Sequence, residues 1–129
     1  MWYVRSMSQR FPFEVQPVYQ ESMAFAYACM RRAQVFPATY GVYGEQLCRH
    51  SVRVSELIAA ELQTAGEHPD FSQAYREAVA CIPLIDLAST AGLLREDDRN
   101  TLRQRLARLL EILEYPGVKL TLCVQEKAQ

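Results

Sequence analysis

Catalysis and metal binding need imidazoles, thiols, carboxylates or guanidinium groups at usable spacing, and this chain offers few such sets. It has two histidines, His50 and His68, and four cysteines, Cys29, Cys48, Cys81 and Cys123. A di-iron carboxylate bundle requires Glu-x-x-His, because positions three apart on a helix project together into the core. Here Glu45 is followed three positions later by Cys48, Glu56 by Ala59 and Glu61 by Thr64. The sequence therefore predicts no metal site. The cysteines form no C-x-x-C pair, so neither zinc spacing nor a redox motif is present. Cys48 and His50 stand two apart and do not face each other on a helix, which argues against a thiol–imidazole nucleophile. No glycine-rich loop follows a strand to cradle a phosphate. No catalytic residue and no cofactor are expected.

The arginines are the remaining candidates. The only lysines are Lys119 and Lys127, so nearly all positive charge is guanidinium, which suits bidentate pairing with carboxylate or phosphate. Arg95, Arg99 and Arg103 recur at four-residue steps along one helical stripe. A nucleic-acid surface would use Arg49, Arg53, Arg99 and Arg103, with affinity falling steeply in salt. Against it stands a formal net charge of −1, which gives no attractive field for a polyanion. The first reading of the stripe is a solvated face paired with Glu96, Asp98, Glu111 or neighbouring subunits. Glu45 and Arg49 have the spacing to pair, while Arg49 and Arg53 repel mildly. The run His50-Ser51-Val52-Arg53-Val54-Ser55 loosely resembles the signature of histidine phosphotransfer domains, with Arg53 where a basic residue is expected. Val54 stands where those domains have a small residue. That resemblance implies phosphoryl acceptance at His50, a further alternative.

The elements that must position these residues are helices. The chain has 129 residues, half of them apolar, enough for one domain with a packed core. No window approaches the ~20 apolar residues of a membrane span, and the stretch from Met1 to Arg10 lacks the apolar run of a signal peptide. Met7 is an alternative start. Isolated thiols of this kind predict a reducing cytoplasm with no disulfides.

Four helical patterns are legible. The first is expected over Pro17 to Ala33, with Pro17 suited to a first turn and Tyr19, Met23, Ala26, Met30 and Ala33 as its seam. Phe25 and Cys29 widen that stripe, Ser22 stays polar, and Phe36-Pro37 closes the segment. The second runs from about Tyr40–Gly44 to Ala65, with Leu47, Ser51, Val54, Ile58 and Leu62 as its seam. The third begins where Asp70 and Gln73 partly resemble a capping box. Its seam is Phe71, Tyr75, Ala78, Ile82 and Ile85, its stop is Gly92, and Pro83 predicts a kink. The fourth runs from about Glu96 to Tyr115 on Leu102, Leu106, Leu109 and Leu113, with three acidic residues at the positive end of its dipole.

Short connections between helices of similar length predict an all-α, antiparallel up-down-up-down four-helix bundle with a short extended C-terminal tail. The expected organisation is a flexible segment over 1–12, the bundle over 13–116 and the tail over 117–129. In that tail Val118, Leu120, Leu122 and Val124 alternate with other residues at the period of a strand. It would pair with Trp2-Tyr3-Val4, lie against another subunit or stay solvated. Apolar residues exceed what one seam per helix needs. Phe11, Phe13, Tyr43 and Tyr115 are therefore the candidate oligomer interface, since aromatic residues anchor interfaces.

The second helix also carries a family likeness. Gln46-Leu47-Cys48-Arg49, Val52, Val54 and Ile58-Ala59, preceded by Phe36-Pro37 and Tyr40-Gly41, resemble the Q-L-x-R…V-x-I…I-A segment of bacterial 23S rRNA intervening-sequence proteins. Those proteins are related to the accessory variability proteins of diversity-generating retroelements. Ala88-Ser89-Thr90-Ala91-Gly92-Leu93-Leu94 resembles the end of their third helix, so the likeness spans roughly 13 to 114. Ser55 to Glu61 replaces the family's Pro-x-Asn-Ile-Ala-Glu-Gly, and Ala80 and Ile82 replace its paired glutamates. The resemblance implies a cytosolic four-helix subunit of a ring-shaped homopentamer. In the retroelement branch it implies association with nucleic acid or reverse transcriptase. The function expected overall is non-enzymatic self-assembly as a scaffold or adaptor, with the chain itself as partner, RNA or DNA as the alternative, and no membrane.

Overall fold

A computed structural model describes residues 11–65 and 67–114. Four helices make up the domain: α1 (Pro17–Ala33), α2 (Gly41–Thr64), α3 (Ser72–Thr90) and α4 (Glu96–Glu114). Short 3-10 turns at Pro12–Val15 and Ala38–Tyr40 lead into α1 and α2. There is no strand among the described residues. The helices pack as an all-α bundle in which α1 touches α2 and α4, and α3 touches α2 and α4. Ala33 at the end of α1 stands against Gly44 near the start of α2, while Ser22 early in α1 bonds Ser55 later in α2. Asp86 late in α3 meets Arg99 and Arg103 early in α4. Arg32 at the end of α1 meets Asp98 at the start of α4, and Glu21 meets Arg105 and Arg108 farther along it. For α1 with α2 and for α1 with α4, the contacts run in opposite senses along the two helices.

Local chemistry sets the helix ends. Pro17 occupies the first turn of α1, where its missing N–H is no loss. At the end of α3, Gly92 takes a φ of 79°, its N–H donates to the Ser89 carbonyl and the Leu93 N–H donates to that of Ala88. Those two bonds are the Schellman pattern, and they make Gly92 the expected stop. At the start of α3 the capping differs from the expectation. Phe71 is the residue just before the helix, and Asp70 works from one position earlier, accepting the Ser72 N–H at 3.0 Å. Glu61, late in α2, accepts the Asp70 N–H at 2.8 Å and ties the turn to the preceding helix. Helix α3 continues through Pro83, which is exposed.

The core departs from the sequence expectation in α1. The side chains facing inward are Val18, Ser22, Phe25, Ala26 and Cys29. Phe25, Cys29 and Ser22 are fully buried, whereas Met23 and Met30 are 45% and 42% exposed. The helix carries two adjacent apolar stripes: of the expected seam, Ala26 is in the core and Tyr19 packs half-buried against it, while Met23 and Met30 lie outside. Ser22 enters the core because its hydroxyl has partners: it donates to the Tyr19 carbonyl at 2.7 Å and accepts from Ser55 Oγ at 3.1 Å. A buried hydroxyl so bonded avoids the desolvation cost of an orphaned one. In α2 the buried line is Leu47, Ser51, Val54 and Ile58, with Leu62 only half-buried. In α3 it is Ala74, Ala78, Cys81, Ile85 and Ala88, with Tyr75 and Ile82 half-buried at its side. In α4, Leu102, Leu106, Leu109 and Leu113 are all buried, as expected. The strand expected in the tail, its pairing with Trp2-Tyr3-Val4, and Tyr115 and Cys123 lie outside the described residues.

Candidate functional site

The four faces of the bundle differ in chemistry. Between α1 and α2 lies a groove of about 560 Å³, lined by Met30, Ala33, Gly44, Cys48, Val52 and the stem of Arg49 among others. Gly44 lets the two helices close at one end: a Cβ there would sit 3.3 Å from the Phe36 ring and 3.4 Å from the Ala33 Cβ. Beside the groove, Tyr27 is 62% exposed and lies under the Arg31 guanidinium at 5.9 Å. Glu45, Arg49 and Glu56 supply charges of both signs at its edge. Glu45 and Arg49, which have the spacing to pair, form no ion pair among the described residues.

Where α2 begins and α3 ends, Tyr40 and Tyr43 stand 6.3 Å apart and enclose an apolar hollow of about 140 Å³ with Leu87, Ala91 and Leu93. Tyr43 and Leu87 are both exposed. Farther along the same two helices, His50 Nδ1 lies 2.6 Å from Glu77 Oε2. The pair borders a second hollow of about 290 Å³ that Arg53, Gln73 and Arg76 share. His50 thus has a carboxylate partner from another helix, which its own neighbourhood in the sequence gives no way to foresee.

The flanks of α4 are ionic. Asp86 receives Arg103 at 2.9 Å and Arg99 at 3.4 Å. Arg32 meets Asp98 at 3.0 Å. Glu21 Oε1 lies between Arg105 and Arg108 at 3.9 and 3.8 Å, yet it has no hydrogen-bond partner among the described residues. That contact is one of charge alone. Within the stripe, Arg99 and Arg103 meet Asp86 of α3 and not the expected Glu96, Asp98 or Glu111, and Arg95 forms no ion pair among the described residues.

The four arginines singled out for nucleic acid do not converge. Arg49 borders the α1–α2 groove and Arg53 the α2–α3 hollow, where it also meets Glu56 at 3.2 Å. Arg99 and Arg103 meet only at Asp86. The aromatic candidates separate too. Phe11 stacks on Phe13 at 5.7 Å, and Phe13 packs edge-on against Tyr19 at 5.1 Å, so Phe13 is engaged within its own chain. Phe11 is exposed.

No described group of three or more His, Cys, Asp and Glu side chains is placed to hold a metal ion. Cys29 and Cys81 are fully buried and free. Burial raises the Cys29 thiol well above its ordinary range, and the neighbouring Cys81 and Cys48 add to the effect. Burial, followed by the Glu77 carboxylate, pushes Cys81 up to about 12. Cys48, half-buried at the groove, is raised by burial. Thiols held neutral in this way are poor nucleophiles.

No described helix is long and apolar enough to cross a membrane. No family model, curated protein or solved structure matches the chain.

Proposed function

We propose that this chain is a non-enzymatic subunit that assembles with copies of itself, a helical scaffold or adaptor acting in the cytoplasm. The observation that carries this reading is the outer stripe of α1. Tyr19, Met23, Ala26, Met30 and Ala33 keep the alternating four- and three-residue steps of a packing seam, but only Ala26 of that line enters the core, and Met23 and Met30 stay exposed. A seam with that period fits the surface of another helix. Exposed apolar side chains gathered along a groove mark an interaction surface more often than scattered ones do. A second copy suits the groove because its edge carries both signs of charge, in Glu45, Glu56 and Arg49. A patch of one sign would select an oppositely charged partner instead.

The Tyr40–Tyr43–Leu87 hollow, on another face, favours a closed ring over a two-fold pair. Head-to-tail contacts use two unlike patches, whereas a two-fold contact uses one patch twice. Five subunits is the number implied by the likeness to the bacterial intervening-sequence proteins. Nucleic-acid association through Arg49, Arg53, Arg99 and Arg103 ranks below self-assembly, because three of the four already meet carboxylates.

Native mass spectrometry and sedimentation at micromolar concentration test the reading. The wild-type chain is expected as one closed oligomer. Met30→Glu with Val52→Glu, both at the groove, is expected to give a monomer with unchanged helical circular dichroism. A wild-type chain that remains monomeric overturns the proposal.

A further inference from the structure

The hollow beside His50 has a different character from the apolar surfaces. Donors reach it from two helices: His50 and Arg53, three apart on α2, and Gln73 and Arg76, three apart on α3. That spacing puts each pair on one face of its helix. Leu57 adds an apolar wall. The His50 ring is fixed by Glu77, which stands 2.6 Å from Nδ1 and itself borders the hollow. Its other nitrogen, Nε2, has no partner among the described residues.

We infer that this hollow binds a phosphate dianion, either the free ion or the terminal group of a small phosphomonoester. The argument rests on which charges are already engaged. Glu77 faces the imidazole at 2.6 Å. Asp70, whose charge Arg76 feels, accepts the Ser72 N–H. Glu56 holds Arg53 at 3.2 Å in a pair more than half exposed on both sides, a contact of little strength that a dianion can displace. Arg76 forms no ion pair among the described residues. Two guanidinium groups, an amide and an imidazole line the hollow from two different helices. That arrangement matches a tetrahedral oxyanion better than a planar carboxylate, which a single arginine fork satisfies. With Nδ1 taken up by Glu77, Nε2 is the ring nitrogen left to face the anion. The site lies between α2 and α3, and none of the residues that line it lines the α1–α2 groove.

The test is a titration of the full chain with inorganic phosphate, following the side-chain nitrogen resonances of His50 and the arginines. Saturable shifts at His50 Nε2 and at the Arg76 guanidinium are expected. Arg76→Gln should weaken binding about tenfold, the loss of one charge-assisted hydrogen bond. Arg53→Gln should weaken it in the same direction, while Arg105→Gln, on α4, should leave it unchanged. All three side chains are at least partly exposed, and circular dichroism checks that each variant folds. Glycerol phosphate should compete with the free ion, and dimethyl phosphate, a monoanion, should compete poorly. The inference is overturned by a lack of saturable shifts, by equal losses in Arg76→Gln and Arg105→Gln, or by dimethyl phosphate or an RNA oligonucleotide outcompeting the monoester.

Discussion

Two sides of the same helix show how differently this surface is finished. Toward α4, Glu21 and Arg32 of α1 meet arginines and an aspartate of opposite charge. On the side of the groove shared with α2, Met30 is 42% exposed, and Tyr27, 62% exposed, has only the Arg31 guanidinium 5.9 Å from its ring. Charged flanks remain stable in water because exposed ion pairs cost little to keep hydrated and contribute little. A strip of methionine and tyrosine carbon has no such compensation and gains free energy when water leaves it. Apart from Glu21 Oε1, which has no hydrogen-bond partner among the described residues, the charges of the α4 flanks are met within a single chain. The α1–α2 face is where burial remains to be gained.

The largest expected effect separates core from outer stripe within α1. Phe25 is fully buried, so Phe25→Ala should lower unfolding free energy by about 3–5 kcal/mol. Met30→Ala, five positions along, 42% exposed and lining the groove, should change the monomer by no more than about 0.5 kcal/mol while weakening assembly. Equal losses in denaturant titrations of dilute protein would break the distinction between the stripes.

The buried thiols come next and give the core a pH signature. A group whose folded pKa is raised stabilises the fold below its unfolded value and loses that contribution as pH rises toward the folded one. For Cys81 the window runs from 9.0 to about 12. Through it, stability should fall by about 1.4 kcal/mol per pH unit for each such thiol. Cys81→Ala should make the alkaline limb shallower. In a Cys123→Ser background, alkylation should find Cys48 before Cys29 or Cys81, and assembly should protect Cys48 because it lines the groove.

Much of the fold was legible because helix boundaries and seams are local. Pro17, Gly92 and the leucines of α4 announce themselves by position and period. The misreading in α1 has a definite cause. Its two apolar stripes are one position out of phase, Tyr19–Met23–Met30 beside Val18–Ser22–Phe25–Cys29, and the inner one contains a serine. Polarity pointed to the wrong stripe, because the hydrogen bond from Ser55 that makes Ser22 acceptable comes from another helix. The same limit hid the partners of His50, Arg99 and Arg103. Glu77 and Asp86 are far from them in sequence, and only packing brings each pair together.

The α4 flanks provide the third test. Asp86→Ala releases both Arg99 and Arg103, yet each of the three side chains is more than a third exposed or close to it. The cost should therefore be no more than about 1 kcal/mol, shrinking as salt is added. Sulfate should act in the opposite direction on the α1–α2 face, since it strengthens apolar burial. If the Asp86→Ala loss equals that of Phe25→Ala, the flanks are not the minor contributors this comparison makes them.

The smallest effect lies at the entrance to α3. The Ser72 backbone N–H, followed by the Ser72 hydroxyl, lowers the pKa of Asp70 below its usual 3.8. A depressed folded pKa adds stability above the unfolded value and loses it as pH falls through the folded one. Asp70→Asn should therefore lower Tm slightly at neutral pH, and the gap should close in acid below the ordinary carboxylate range. Adding salt should leave most of that gap, because the interaction is a short hydrogen bond and not a pair of separated charges. A gap that disappears with salt in the same way as the Asp86 effect would place this turn with the α4 flanks, as a surface held by charge alone.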